Sequence, residues 1–283
     1  MKNPLVTISI PTYNSEAFLP KCLQAIKDQS YKHVEINIID GGSSDKTIAV
    51  AQKFGVKNIL VSKGSLMRAR FEGAKKSHGT FVLILDSDQI LGKETIKKCI
   101  NEIAQKKDMV ALGEDVYSKK TLLEKLFYLD RQLVDKANDL DPYTSVILPR
   151  FFKKSLILKA YQRVPSRSID KASLQDHAIL YLEAWKISKR VGYIKNAVKH
   201  MEPGTWSELW RKFYRWGYLS VNVDSTGYDE FFRKRTMRFR RGLFRKDLIK
   251  QSIGSMVLLS LKEIPFASGI ISGKINRFLR KHK

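Results

Sequence analysis

The sequence predicts an α/β fold: a mostly parallel sheet with helices on both faces, followed by an amphipathic helical region at the C-terminus. Three observations carry that expectation. Short apolar runs alternate with helix-spaced segments over roughly residues 1–115. Polar and acidic residues gather at the ends of the apolar runs, which is where open parallel sheets bind ligands. From about residue 201 the composition shifts to interleaved aromatic and basic residues. The expected division is one α/β domain over residues 1–200 and a basic, aromatic-rich helical region over 201–283.

The elements follow in order. "LVTISI" (5–10) reads as a strand that breaks at Pro11, and "NSEAFLPKCLQAIKDQS" continues with helical spacing behind a cap at Asn14 or Ser15. "VEINIID" (34–40) is the next strand. It ends in "GGSSD", and the helix "KTIAVAQKFG" stops at Gly55. "VKNILVS" is a short strand and "LMRARFEGAKKSHG" a helix. The strand "TFVLILDSD", the helix "KETIKKCINEIAQKK" and the strand "DMVALGEDV" close this part. Farther on, "TLLEKLFYLDRQLVDKAND" and "SLQDHAILYLEAWKISKR" have helical spacing, and "VGYIKNAVKH" reads as a strand.

Composition bounds the function. With 283 residues and 43% hydrophobic content, the chain can bury a sizeable core, which excludes global disorder. A formal net charge of +24 points to a polyanionic partner: nucleic acid, an anionic membrane or a phosphorylated substrate. The two cysteines, Cys22 and Cys99, fall in helical segments without a C-x-x-C pair, so buried thiols in a cytosolic setting are expected. The N-terminus reads as a strand, not a signal peptide. The longest apolar stretch near the end, "IGSMVLLSLKEIPFASGIISG", is interrupted by Lys262, Glu263 and Pro265 and so suits an interfacial or re-entrant segment better than a span.

Three strand ends have chemical potential. In "LDSDQ", alternate residues of an extended segment face the same side, so Asp86 and Asp88 converge on one point. Hard divalent cations bridge such carboxylates to substrate phosphates, although the same acids also suit a plain turn. In "DGGSSD", Asp40 is placed to accept hydrogen bonds from a base or a ribose, and Gly41 and Gly42 let backbone approach a ligand. Ser44 or Asp45 equally suits a simple helix cap. In "SIPTYNSE", Pro11, Thr12, Tyr13 and Asn14 project over the sheet edge, where a tyrosine face can stack on a base or merely form a turn.

Together, "VTISIPTYNSEAFLPKCLQAIKDQSYKHVEINIIDGGSSDKT" and the later "VLILDSD" resemble the family 2 inverting glycosyltransferases of the GT-A (Rossmann-like) fold over roughly residues 4–115. The resemblance implies a UDP- or GDP-sugar donor, with Pro11, Thr12, Tyr13, Asn14, Asp40 and Gly41 around the nucleoside. It implies Mg²⁺ or Mn²⁺ on the diphosphate at Asp86, Ser87 and Asp88, with Asp88 the more direct ligand. "ARFEG" (69–73) is similar to the family's Ala-Arg-Asn-x-Gly stretch, with Phe71 in place of Asn. It carries over Arg70, with Arg68 as competitor. Lys63 and Gly64 fall where the family's donor loop lies. In "SLQDHAI", the family's Glu-Asp becomes Gln175-Asp176. Asp176 is then the base that deprotonates the acceptor hydroxyl, with His177 as alternative, while an Asp at a helix start also suits the dipole. Several relatives place a histidine near the metal or diphosphate where this chain has His200, which also has a plain structural reading. "ELWRKFYRWG" resembles an Arg-x-x-Arg-Trp element of membrane-linked relatives. Arg211 and Arg215 share a helix face suited to the donor diphosphate, an acceptor phosphate or solvent.

These readings describe a metal-dependent hexosyl- or N-acetylhexosaminyl-transferase. The basic cluster "FFRKRTMRFRRGLFRK" and the tail "KINRFLRKHK" favour an anionic membrane surface, peripheral or monotopic on its cytoplasmic face, with a lipid-linked or glycan acceptor. A Mg²⁺-dependent nucleotidyltransferase is the second reading, but neither G-x-G-x-x-G nor G-x-x-x-x-G-K occurs. A nucleic-acid-binding protein is the third. No zinc knuckle or RNP-like sequence supports it, so no nucleic acid is expected.

Overall fold

The computed structural model describes residues 3–137, 139–221, 227–238 and 246–281. Its centre is an eight-stranded sheet of order β3-β2-β1-β4-β7-β6-β8-β5. The first half alternates as the pattern demands: β1 (Val6–Thr12), α1 (Leu19–Lys27), β2 (Val34–Asp40), α2 (Thr47–Lys53), β3 (Asn58–Val61), α3 (Leu66–Lys75) and β4 (Phe81–Ile84). β1 pairs in parallel with β2 and β4, and β2 with β3. Then come β5 (Gln89–Leu91), α4 (Thr95–Ala104), β6 (Met109–Val116), α5 (Leu122–Ala137), β7 (Pro149–Lys153), α6 (Lys154–Arg163), α7 (Ser166–Lys171), α8 (Asp176–Ile187) and β8 (Val191–His200).

The sheet therefore extends well beyond residue 115. β7 inserts antiparallel between β4 and β6, β8 runs parallel to β6, and β5 adds an antiparallel edge on β8. Because β7 reverses direction, its start lies at the same sheet edge as the ends of β1, β2, β4, β6 and β8. That edge collects the residues considered below.

Alternation along β4 shows why both faces are covered. Phe81, Leu83 and Leu85 join the cluster under α1, α2 and α4, whereas Val82 and Ile84 join the one under α3, α6 and α8. Every residue of β4 is buried, as a strand packed on two sides requires. α8 is apolar nearly all round, with Ala178 to Ala184 buried, because it lies inside the second layer.

The last part is helical: α9 (Trp206–Ser220), α10 (Asp229–Arg238), a short 3₁₀ turn (Lys246–Leu248) and α11 (Ile249–Lys281). Thr205 and Glu208 form a reciprocal capping box at the start of α9. α11 runs unbroken through Pro265, contrary to the interrupted segments expected, and its 33 residues extend over about 50 Å. Glycines bring it close to α9. A Cβ on Gly217 would stand 1.9 Å from the Phe266 carbonyl oxygen, and one on Gly269 would stand 2.0 Å from that of Tyr214. Farther along, Gly273 meets Tyr218 and Arg277 meets Val221, so the two helices run parallel. α11 also packs on α5, where Gly254 meets Leu129 and Ser255 donates to Asp130. Residues 239–245 of the basic cluster lie outside the described residues.

Candidate active site

The three loops after β1, β2 and β4 are tied to one another. Asp40, fully buried, accepts from Thr12 Oγ1 (2.9 Å), Gly42 N (2.9 Å), Ser43 N (2.7 Å) and Ser43 Oγ (2.6 Å). Four donors use a carboxylate's lone-pair positions, so Asp40 shapes its own loop. Burial pushes its carboxyl up, but the Ser43, Thr12 and Gly42 hydrogen bonds outweigh that and hold it below the usual range. Gly42 has φ +90°, which a side chain would oppose. Asn14 has φ +48° and its Oδ1 accepts from Ser44 N at 2.9 Å. Gly41 N donates to Thr12 O at 2.8 Å, and the Ser87 and Ser15 hydroxyls meet at 3.0 Å. Pro11 is buried in register with Ile39. Lys63 passes over Gly42, bringing the 63–64 loop beside the β2 loop. Tyr13 is half-exposed, and the Arg215 guanidinium of α9 stands 5.3 Å from its ring centroid. α9 thus reaches the same sheet edge. Arg211 is exposed, and its side chain donates to Ser207 O at 3.4 Å.

Beside these loops runs a row of alternating charges. Arg70, 3% exposed on α3, donates to both Asp176 and Asp86. Arg150, at the start of β7, donates to Asp86 Oδ2 (2.9 Å), Glu114 Oε1 (3.2 Å) and His177 Nε2 (3.1 Å). Glu114, near the end of β6, also meets Arg131 of α5 (2.8 Å), and Arg131 donates to Glu202 (2.7 Å). Arg70, rather than Arg68, joins this row of charges, because Arg68 is partly exposed and pairs with Asp170. Gln89 accepts from Asp86 N (3.1 Å) and donates to Glu114 Oε1 (3.0 Å). An acid there would face Glu114 with like charge.

The row sets the protonation of its members. Burial pushes Asp86 up, but Arg70 and Arg150 hold its carboxyl well below the usual range. Asp176 is different: burial raises its carboxyl and Arg70 offsets only part of that. A raised carboxyl is what proton abstraction near neutral pH requires. Burial, with Arg70 and Arg150, drives His177 well below the ordinary imidazole value, so it is neutral.

Asp88 lies outside this row. Its carboxylate is partly exposed, with Oδ2 3.5 Å from His200 Nε2, and Glu202 stands 3.5 Å from His200 Nδ1. Burial pushes Glu202 up, but Lys212, His200 and Arg131 hold it well below the usual range. Among the described residues no group of three His, Cys, Asp or Glu side chains is arranged to hold a metal ion. A cation held by the Asp88 carboxylate and phosphate oxygens, with His200 beside it, fits the residues present, because Mg²⁺ is commonly bound through one or two carboxylates and completes its shell from substrate and water. Asp86 fits it less well, since each of its oxygens already faces an arginine.

The structure adds four residues that the sequence reading missed: Glu114, Arg131, Arg150 and Glu202. The signal was present in "LPRFFK", where one arginine stands among residues destined for a buried strand and must find an acid.

The model of Glycosyl transferase family 2 matches residues 7–168, more than half of the chain. Among curated proteins, the chain is 22% identical over 237 residues to the glycosyltransferase GlyA of Streptococcus pneumoniae, covering 78% of this chain and 34% of that protein. It is 32% identical over 99 residues to the poly(ribitol-phosphate) β-N-acetylglucosaminyltransferase TarS of Staphylococcus aureus, covering 32% of this chain and 17% of that one. The chain thus spans well under two thirds of the curated relatives it matches. Among solved structures, S. aureus TarS 1–349 in complex with UDP-GlcNAc is 17% identical with TM-score 0.56, over 99% of this chain and 92% of that one. The mannosyltransferase PcManGT from Pyrobaculum calidifontis, in complex with GDP-Man and Mn²⁺, is 14% identical with TM-score 0.56, over 98% and 81%. These structural likenesses establish the GT-A type of fold.

Proposed function

Because the chain belongs to glycosyl transferase family 2, we propose that it transfers a hexosyl or N-acetylhexosaminyl group, with inversion, from a UDP- or GDP-sugar to a lipid-linked acceptor at the cytoplasmic face of a membrane. One observation carries the chemistry. A buried acid with a raised pKa, Asp176, is joined through Arg70 to the sheet edge that bears Asp88 and His200.

Asp176 takes the proton of the acceptor hydroxyl, whose oxygen bonds to the anomeric carbon as the bond from that carbon to the diphosphate breaks. Arg70 engages Oδ2 of Asp176 and so orients the carboxylate. Arg70 and Arg150 are neutralised by Asp86, Asp176 and Glu114, which keeps two guanidiniums fixed beside the reacting centre at little reorganisation cost. Thr12, Tyr13, Asn14, Gly41 and Lys63 form the nucleoside wall, Asp40 holds the loop behind it with its acceptor positions already filled, and Arg215 and Arg211 extend the wall from α9. Asp88 and His200 would hold Mg²⁺ or Mn²⁺, which when bound neutralises charge on the diphosphate.

The membrane part rests on α11 and charge. Among the described residues, one helical stretch, Lys246–Leu279, is long and apolar enough to cross a bilayer by length and composition, with only 28% of its most apolar part buried. Its outward residues include Ile249, Ile253, Val257, Ile264, Ile271, Ile275 and Phe278, and Trp206, Trp210 and Trp216 of α9 are also exposed. Packing against α9 and α5 supports a helix lying in the interface more than one crossing it. A glycan acceptor off the membrane is the second reading, favoured by the net charge of +24, which also suits a polyanionic polymer.

The test is a panel of nucleotide sugars assayed for hydrolysis and transfer with Mn²⁺ and a membrane-lipid extract, using wild type and Asp176→Asn. Transfer should fall by at least about 100-fold in the variant with donor binding unchanged. Near-normal transfer by Asp176→Asn would remove the base, and equal transfer in excess chelator would remove the metal. Failure to float with anionic liposomes would move the acceptor to the second reading.

A further inference from the structure

The two residues flanking Asp176 each carry a buried polar atom with no hydrogen-bond partner among the described residues: Gln175 Oε1 before it and His177 Nδ1 after it. The histidine is the more informative. Its Nε2 faces Arg150 Nη1 at 3.1 Å. A guanidinium only donates, so Nε2 must accept and the single ring proton must lie on Nδ1. Burial, and then Arg70 and Arg150 beside the ring, oppose a second proton, while Asp86 favours one and is outweighed. His177 is therefore a fixed N–H donor with no acceptor among the described residues. It cannot serve as the alternative base, because the nitrogen left free already carries the proton. A buried donor without a partner costs free energy until an oxygen arrives.

We propose that His177 Nδ1–H binds a hydroxyl oxygen of a sugar substrate beside the base, with Arg150 fixing the tautomer that makes this possible. Gln175 Oε1 supplies the complementary acceptor for a hydroxyl proton. The assignment rests on Asp176 acting as the base only for its location. Its own evidence is the tautomer and the unfilled donor.

The test uses the full chain. Asparagine places its amide N–H where histidine has Nδ1, whereas glutamine reaches the Nε2 position. If the bond to substrate matters, His177→Asn keeps KM within about twofold, and His177→Gln and His177→Ala raise it by about 3- to 10-fold with a smaller change in kcat. If the ring only anchors Arg150, the order reverses, and that result overturns the proposal. Hydrolysis of UDP-GlcNAc or GDP-mannose without acceptor separates the sources: a KM raised there assigns the donor sugar, and a KM raised only in transfer assigns the acceptor. As an independent readout, ¹⁵N-histidine NMR should show His177 as the neutral Nδ1–H form from pH 5.5 to 8. An Nε2–H tautomer, or a titration in that window, also overturns it. Loss of transfer in Asp176→Asn with these KM patterns absent would leave the base standing and remove only the histidine role.

Discussion

Replacing Arg150 by methionine isolates the electrostatic row. Arg150 compensates two carboxylates at once, Asp86 at 2.9 Å and Glu114 at 3.2 Å, and its side chain is only 12% exposed. Removing one partner of a buried ion pair costs about 3–5 kcal/mol. Each carboxylate keeps one arginine, Arg70 or Arg131, so the low end applies, about 3 kcal/mol. The effect also has a sign in pH. Asp86 and Glu114 are both held below their ordinary values despite burial, by Arg70 and Arg150 and by Arg131 and Arg150 respectively. Depressed carboxyls stabilise the fold above the unfolded values of about 3.9 and 4.3, and that contribution disappears as pH falls through the folded values. Arg150→Met raises both folded values, so the variant loses most at neutral pH and the gap to wild type narrows below about pH 4. Urea unfolding of both proteins at pH 7 and at about pH 3 measures this. A gap under about 1 kcal/mol at pH 7, or one that does not shrink on acidification, would refute the reasoning.

Two further outcomes follow from close contacts. Gln89→Glu replaces a donor to Glu114 with a second carboxylate and should lower stability by about 1–3 kcal/mol at pH 7, with partial recovery on acidification, read in the same urea titrations. Gly217→Ala forces a methyl to within 1.9 Å of a backbone oxygen of α11, and should cost about 1–3 kcal/mol and speed proteolysis near α9, measured by thermal denaturation and limited digestion.

The first half of the fold was legible because strands and helices there alternate with clear periods and each strand end has a turn signature. β7 and β5 were not, since "PRFFK" and "QIL" are too short to show a period and pair antiparallel with strands distant in sequence. At the site, acids at strand ends were visible as single letters. Their partners were not, because an arginine's reach from α3 to α8, or from β7 to β4, is set by packing rather than spacing. Asp86 shows the difference: its letter suggests a ligand for a cation, while the structure occupies it with two guanidiniums. The single helix through Pro265 was missed for a related reason. Proline is an interrupter locally, yet contacts with α9 and α5 on both sides hold the helix in register.

Glu202 has a practical consequence for anyone wishing to handle the protein without its apolar tail. It joins His200 to Arg131 of α5 and Lys212 of α9, and the cluster of Val116, Leu123, Leu126, Phe127, Leu209, Phe213 and Leu258 spans β6, α5, α9 and α11. Trimming the chain at residue 200 would strip Arg131 of one acid, uncover the apolar side of α5 and leave His200 without its neighbour. Solubility is better sought by repainting than by cutting: polar replacements at the outward Ile253, Ile264 and Ile271 leave the glycine seam and the Glu202 junction in place.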